Sequence, residues 1–199
     1  MNGIEAALRR ASADLLAAKV RFALVGGLAV SARTTPRFTR DIDLAVAVAG
    51  DAEAERLVDA LRRDGYAPLA TVEQRDAHRL APVRMGAPGA PAGEAVLDLL
   101  FASSGIEREV VAAAESLEIV PGLRVPVATA GHLLALKILS RDDLVRPQDG
   151  VDLAGLVRGA SAGDLEVARI AVALIEARGY ARGRRLGSDL ADLCRASGR

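Results

Sequence analysis

Residues 22–48 run Phe22-Ala-Leu-Val-Gly-Gly-Leu-Ala-Val-Ser-Ala-Arg33, through Thr34-Thr-Pro-Arg-Phe-Thr-Arg40, into Asp41-Ile-Asp-Leu-Ala-Val-Ala-Val48. Phe22–Val25 is a short apolar run ended by Gly26-Gly27, which reads as a buried strand closed by a turn. Leu28–Arg33 resumes a helical pattern of small residues, and Pro36 punctuates the loop 34–40. Ile42–Val48 is then a second strand. Side chains alternate along a strand, so Asp41 and Asp43 share one face while Ile42 and Leu44 take the other. Two carboxylates side by side on an apolar strand repel, and burying them uncompensated costs several kcal/mol. A divalent cation resolves the conflict, and hard oxygen ligands with phosphate nearby favour Mg²⁺.

Working outward, Met1–Ala18 has helical spacing through Ile4, Leu8, Ala11, Leu15 and Leu16. Glu53–Asp64 is amphipathic, with Leu57, Val58 and Leu61 on one face and Gly65 as its stop. Leu80–Met85 reads as a third strand, Gly86–Gly93 as a hairpin loop and Ala95–Ala102 as a fourth strand. Ile106–Ala114 is helical. Leu117–Val127 holds Pro121-Gly122 between two apolar runs, a second hairpin. From Thr129 on, helices are expected at about 130–140, 149–158, 163–178 and 187–196. The order is an α/β core over 1–128 followed by a helical region over 129–199 packed on it.

With 199 residues, 51% of them hydrophobic and 26% charged, the chain can bury a core. Its formal net charge of zero excludes a strongly basic nucleic-acid footprint over the whole chain. Cys194 is the single cysteine, so no internal disulfide forms. No apolar run approaches the length of a membrane span, and charges at Glu5, Arg9, Arg10 and Asp14 interrupt any signal-peptide core. The expectation is a cytoplasmic protein with no membrane association. His78 and His132 lack partners at zinc spacing and read as structural.

A third carboxylate, Asp98, lies inside the apolar run Ala95–Phe101. It needs a partner: either a metal shared with Asp41 and Asp43, or an arginine such as Arg84 on a neighbouring strand. Gly26-Gly27, between a strand and a helix, is either an ordinary tight turn or a place where backbone N–H groups meet a phosphate. Lys137, between Leu136 and Ile138, is either a snorkelling lysine or a cation at the site. Asp149 is either a first-turn helix charge or a site residue, as is Asp152 three positions on. Arg178, Arg182, Arg184 and Arg185 form a basic cluster: a solvated helix end, or an RNA backbone contact.

Val25-Gly26-Gly27, a spacer of thirteen residues, and Asp41-Ile42-Asp43-Leu44 resemble the signature of the polymerase β nucleotidyltransferase superfamily. Within it, Arg37-Phe-Thr-Arg-Asp-Ile-Asp43 is similar to the Arg-x-Thr-x-Asp-Ile-Asp of AbiEii-like toxin nucleotidyltransferases. Lys137, Arg141 and Arg146-Pro-Gln-Asp149-Gly-Val-Asp152-Leu resemble their downstream block. Gly27 departs from the pattern, replacing a serine common in the family, and Gln148 stands where a lysine is common. The resemblance implies a mixed β-sheet flanked by helices, with a helical C-terminal region. It implies nucleotidyl transfer from an NTP to an acceptor hydroxyl, with Asp41, Asp43 and Asp98 holding two Mg²⁺ ions. Gly26, Gly27, Arg40 (or Arg37) and Lys137 would contact the nucleotide. The acceptor would be the 3′ end of tRNA, with an antitoxin protein as partner. Two alternatives remain: an aminoglycoside-type enzyme acting on a small molecule, which the neutral charge also fits, and a nucleotide-binding module without turnover.

Overall fold

The structure is a computed structural model and describes residues 3–37, 39–74, 79–90, 95–143 and 145–199. Its elements are α1 (Gly3–Ala17), β1 (Arg21–Val25), α2 (Gly26–Arg33), β2 (Asp41–Ala47), α3 (Asp51–Arg63), β3 (Ala67–Gln74), β4 (Arg79–Gly86), β5 (Val96–Leu100), α4 (Glu107–Ala112), β6 (Glu115–Val120), β7 (Leu123–Val127), α5 (Ala130–Ser140), α6 (Gln148–Gly159), α7 (Ala162–Ala177) and α8 (Leu186–Ala196). The strands form one mixed sheet in the order β3-β4-β5-β2-β1-β7-β6. The expected α/β class with flanking helices is the class observed.

β1 lies between β2 and β7, which is why Phe22–Val25 is continuously apolar: all four are buried. It runs antiparallel to β2 and parallel to β7. β2 runs parallel to β5, and β5 antiparallel to β4. Pro121-Gly122 turns β6 into β7 as the sequence anticipates, with Gly122 at φ +73°. β3 is a strand that periodicity did not reveal; it pairs with β4 through two register irregularities, and its bulged, edge position weakens any regular pattern. Of the loop expected at Gly86–Gly93, residues 91–93 lie outside the described residues, as do Phe38 and His78.

The helices follow their buried faces. α3 buries Ala54, Leu57 and Leu61, carries Asp51 and Glu53 in its first turn and Arg62 and Arg63 in its last, and ends before Gly65 at φ +95°. Thr129 caps α5 by accepting from the His132 backbone N–H, and Ser161 with Asp164 forms a capping box on α7. α5 packs against α2, α6, α7 and α8, which carries Lys137 towards the N-terminus of α2. Among the described residues no helix is long and apolar enough to cross a membrane.

Candidate active site

Sheet register builds the first wall of the site. Asp43 pairs with Asp98 across β2–β5, Asp98 with Arg84 across β5–β4, and Asp43 with Val25 across β2–β1. Paired residues face the same way, so Arg84, Asp98 and Asp43 form a row, with Asp41 on the same face two residues back. Ile42 and Leu44 are buried on the opposite face. The alternation read from the sequence therefore holds, and the parallel pairing of β2 with β5 adds Asp98 to the pair.

Asp98 is held by a bidentate ion pair: Arg84 Nε donates to Oδ1 at 2.9 Å and Nη2 to Oδ2 at 2.7 Å. The same guanidinium lies 3.8 Å from Asp41 Oδ2. The arginine partner considered for Asp98 is thus present, and it also reaches Asp41. Its position among carboxylates keeps the guanidinium protonated more firmly than usual. Asp43 differs. Burial, then the charges of Asp98 and Asp41, push its carboxyl up to about 6, against weaker opposition from Lys137 and a backbone hydrogen bond from Gly27. Ionising Asp43 in the folded chain therefore costs more than it does in water.

The turn after β1 sits directly on that carboxylate. Gly26 has φ +63°, and a Cβ there would lie 1.9 Å from Asp43 Oδ2. Glycine is required both for the left-handed backbone and for the close approach. The N-terminus of α2 then brings its N–H groups and positive dipole end to the site.

The second wall is cationic. On α6, Asp149 and Asp152 are buried, with side chains 4% and 3% exposed. Lys137 Nζ lies 2.8 Å from Asp149 Oδ1 and 2.8 Å from Asp152 Oδ2. Arg37 grips Asp152 with Nε to Oδ1 and Nη2 to Oδ2, both 2.7 Å. Arg146 Nε approaches Asp149 Oδ2 at 3.5 Å. Burial pushes Asp152 up, but the hydrogen bonds from Arg37 and Lys137 outweigh it and hold the carboxyl below its ordinary range. Asp149 is therefore more than a first-turn charge: with Asp152 it fixes two cations against the cavity. The sequence could signal this only as two aspartates three apart on a helix; what they hold depends on the packing of α5 and α6.

A cavity of about 620 Å³ opens between the walls. Its lining includes Gly26, Gly27, Asp41, Asp43, Asp98 and Lys137. It also includes Arg37, Arg146 and Arg182, all three named from the sequence, and Ser103 and Ser104, which were not. Of the two arginines considered, Arg37 lines the cavity, and Arg40 is exposed and is not among its lining residues. Within the basic cluster, Arg182 Nη2 donates to the Ser103 carbonyl at 2.9 Å. Arg178 pairs with Glu109 at 2.6 Å, and Arg184 with Asp189 at 3.0 Å, so these two brace neighbouring elements. His132 is buried, with Nδ1 2.8 Å from Thr129 Oγ1, a structural position. A larger cavity of about 770 Å³, beside Phe101, Arg108 and Tyr180, lies away from the carboxylates.

The family model "Nucleotidyl transferase AbiEii toxin, Type IV TA system" matches residues 6–196. The chain is an AbiEii-family nucleotidyltransferase. No curated protein sequence matches this AbiEii-family chain significantly. Among solved structures, it is similar to an antigenic nucleotidyltransferase-like protein from Paracoccidioides brasiliensis (TM-score 0.55, 19% identity, covering 97% of this chain and 92% of that one). The lincosamide antibiotic adenylyltransferase LnuA gives a TM-score of 0.51 at 15% identity, over 80% of this chain and all of that one (100%). The antibiotic-resistance factor ANT(2'')-Ia gives 0.52 at 16%, over 98% and 96%. At these identities the likeness establishes the shared fold.

The donor set of this AbiEii-family site fits a divalent ion. Asp41 and Asp43 offer hard oxygens on one face, and Gly26 leaves Asp43 Oδ2 pressed against bare backbone. Among the described residues no three possible ligands are already gathered around one point. Asp98 is turned onto Arg84, so it joins such a set only by exchanging that guanidinium for the ion.

Proposed function

We propose that this chain is a Mg²⁺-dependent enzyme that transfers a nucleotidyl group from an NTP to an acceptor hydroxyl, and that the acceptor is the 3′ end of tRNA. The observation that carries the reading is the two-walled cavity. Carboxylates suited to a metal, with the α2 N-terminus against them, line one side, and Lys137 with Arg37 and Arg146 lines the other. Asp41, Asp43 and Asp98 would hold Mg²⁺, which when bound supplies charge neutralisation for an in-line displacement at the α-phosphorus. The chain's own residues do the rest. Gly26 and Gly27 let backbone N–H groups approach the triphosphate, and Lys137, fixed by Asp149 and Asp152, presents a positive charge to it. Asp98, once it exchanges Arg84 for the ion, would help to take the acceptor hydroxyl proton. Arg182, which lines the cavity beside Ser103, would be the cation there that an RNA backbone meets. A toxin of this kind acts in the cytoplasm and is restrained by an antitoxin protein, consistent with the type IV family match.

The test is incubation of the protein with each α-labelled NTP, Mg²⁺ and total cellular extract, beside an Asp41→Ala/Asp43→Ala control. Label entering tRNA, and lost in the control, is the expected result. Label entering a small molecule but not RNA would establish the antibiotic-type alternative. No label with any NTP would overturn the transfer reading.

A further inference from the structure

Two connections are laced together at the edge of the active cavity. The β5–α4 connection brings Ser103 and Ser104 into its lining, and the α7–α8 connection brings Arg182. Arg182 Nη2 donates to the Ser103 carbonyl at 2.9 Å, and Arg178 Nη1 donates to the Gly105 carbonyl. Gly105, at φ +76°, makes room for Tyr180: a Cβ there would lie 2.5 Å from the Tyr180 ring atom Cδ2.

Glu107 fastens the first of these connections. The residue is 5% exposed, and Oε1 accepts from the Ser103 N–H at 2.8 Å and the Ser104 N–H at 2.7 Å. It also accepts from the hydroxyls of Ser103 at 3.0 Å and Ser104 at 2.9 Å. A glutamate at a helix start that takes up the N–H three residues back makes half of a capping box, and this accounts for Ser104. It does not account for Ser103, the residue whose carbonyl holds Arg182. Burying a carboxylate is costly unless donors surround it, so Glu107 and Ser103 hold each other in place.

Arg182 differs from the other cations of the cavity. Arg37, Arg84, Lys137 and Arg146 are each taken up by an aspartate. Arg182 pairs with no carboxylate among the described residues, and its bond to Ser103 leaves most of the guanidinium donors unused. Its backbone is left-handed, at φ +54°, which is costly for a residue with a Cβ and persists only where surrounding contacts over-determine it. The contact to Ser103, backed by Glu107, is such a constraint.

We infer that Glu107, which is not among the residues lining the active cavity, is a positioning residue for the acceptor: through Ser103 it aims Arg182 at an acceptor phosphate. The inference rests on RNA being the acceptor, as proposed above, and adds the device that holds Arg182 in place.

The test measures transfer of α-labelled nucleotide to total tRNA by the full chain in Mg²⁺ at several salt concentrations. The proteins are wild type, Arg182→Gln, Glu107→Asp, Glu107→Gln, Ser103→Ala and the double variant Glu107→Asp/Arg182→Gln. Aspartate is one methylene too short to hold both serines, whereas glutamine keeps an oxygen that accepts from them. Thermal melts check folding, and titration with inorganic tripolyphosphate checks the nucleotide side. Arg182→Gln should raise the KM for tRNA about 10-fold, the effect of losing a charged hydrogen bond, with kcat and tripolyphosphate affinity unchanged. It should also flatten the dependence of log KM on log salt by about 1, the signature of one phosphate contact, which a loss of stability alone would not move. Glu107→Asp should shift KM and slope in the same way, Glu107→Gln should stay near wild type, and the double variant should be no worse than Arg182→Gln. Ser103→Ala loses only the hydroxyl tie and should raise the KM about 2- to 5-fold; it carries the test if Glu107→Asp does not fold. Wild-type KM and slope in Glu107→Asp, or in Ser103→Ala where that stands in, overturn the positioning role, as does a Glu107→Asp loss that adds fully to that of Arg182→Gln. A wild-type slope in Arg182→Gln overturns the phosphate contact. If the wild-type chain labels no RNA, the acceptor reading fails first and this inference falls with it, while tripolyphosphate binding would still uphold the nucleotide site.

Discussion

Replacing Asp43 with asparagine is expected to stabilise the metal-free protein while abolishing transfer. In the folded chain the Asp43 carboxyl is pushed from 3.8 up to about 6 by burial and by the charges of Asp98 and Asp41. A carboxyl whose folded pKa is raised favours the folded state below its unfolded pKa and loses that contribution as pH rises through the folded value. Stability from this group is therefore full below about pH 4 and gone above about pH 6. At about 1.4 kcal/mol per pH unit, the interval amounts to about 3 kcal/mol. Asp43→Asn removes the ionisation and keeps the shape, so it should gain about 2–3 kcal/mol at pH 7.5 and close to nothing at pH 4. The assay is urea unfolding of both proteins in EDTA at the two pH values. Adding Mg²⁺ at pH 7.5 should stabilise the wild type much more than the variant. Equal stability of the two proteins at pH 7.5 would refute the reasoning, since Asp43 would then carry no strained charge for a cation to relieve.

Further outcomes follow from the same geometry. Arg84→Gln should tighten Mn²⁺ binding to the nucleotide-free chain, measured by titration, because Arg84 occupies both oxygens of Asp98; unchanged or weaker binding would show that it does not compete. Asp152→Ala leaves Arg37 and Lys137 facing each other across a buried gap, and should cost about 3–5 kcal/mol in urea unfolding; a loss under about 1 kcal/mol would count against the network. Gly26→Ala should cost stability through its left-handed backbone and displace Asp43, eliminating transfer; an active variant would mean that the turn does not press on the carboxylate as described. Gly131→Ala places a methyl 2.4 Å from the Asp164 carbonyl oxygen and 2.7 Å from Val167 Cβ, where α5 meets α7, and should lower stability by about 1–3 kcal/mol. A gain, as helix propensity alone would give, would mean that the two helices separate without cost.

The legible parts of this protein are those where a local pattern has one physical solution. Phe22–Val25 is apolar on both faces because it runs between two other strands, and Gly26-Gly27 ends it because the chain must turn onto a helix. Asp41 and Asp43 share a face by strand alternation alone, whatever the partner strands are. The helical region after Thr129 is legible for the same reason: its apolar spacing is regular and its caps are local. β3 was not legible, because an edge strand with irregular register need not alternate. Asp98 could be read only as a carboxylate in want of a partner. The choice between metal and arginine was open until the β4–β5–β2 register set Arg84, Asp98 and Asp43 in one row. Asp149 and Asp152 looked like helix-start charges, yet they are buried anchors for Lys137 and Arg37, 12 and 115 positions away in the chain. Sequence by itself thus determined the secondary structure near the site and the side of the strand its first two carboxylates face, because strand and helix periodicities are local. Tertiary structure alone decided which charges meet, because ion pairs between distant segments depend on strand order and helix packing, and no local period encodes either.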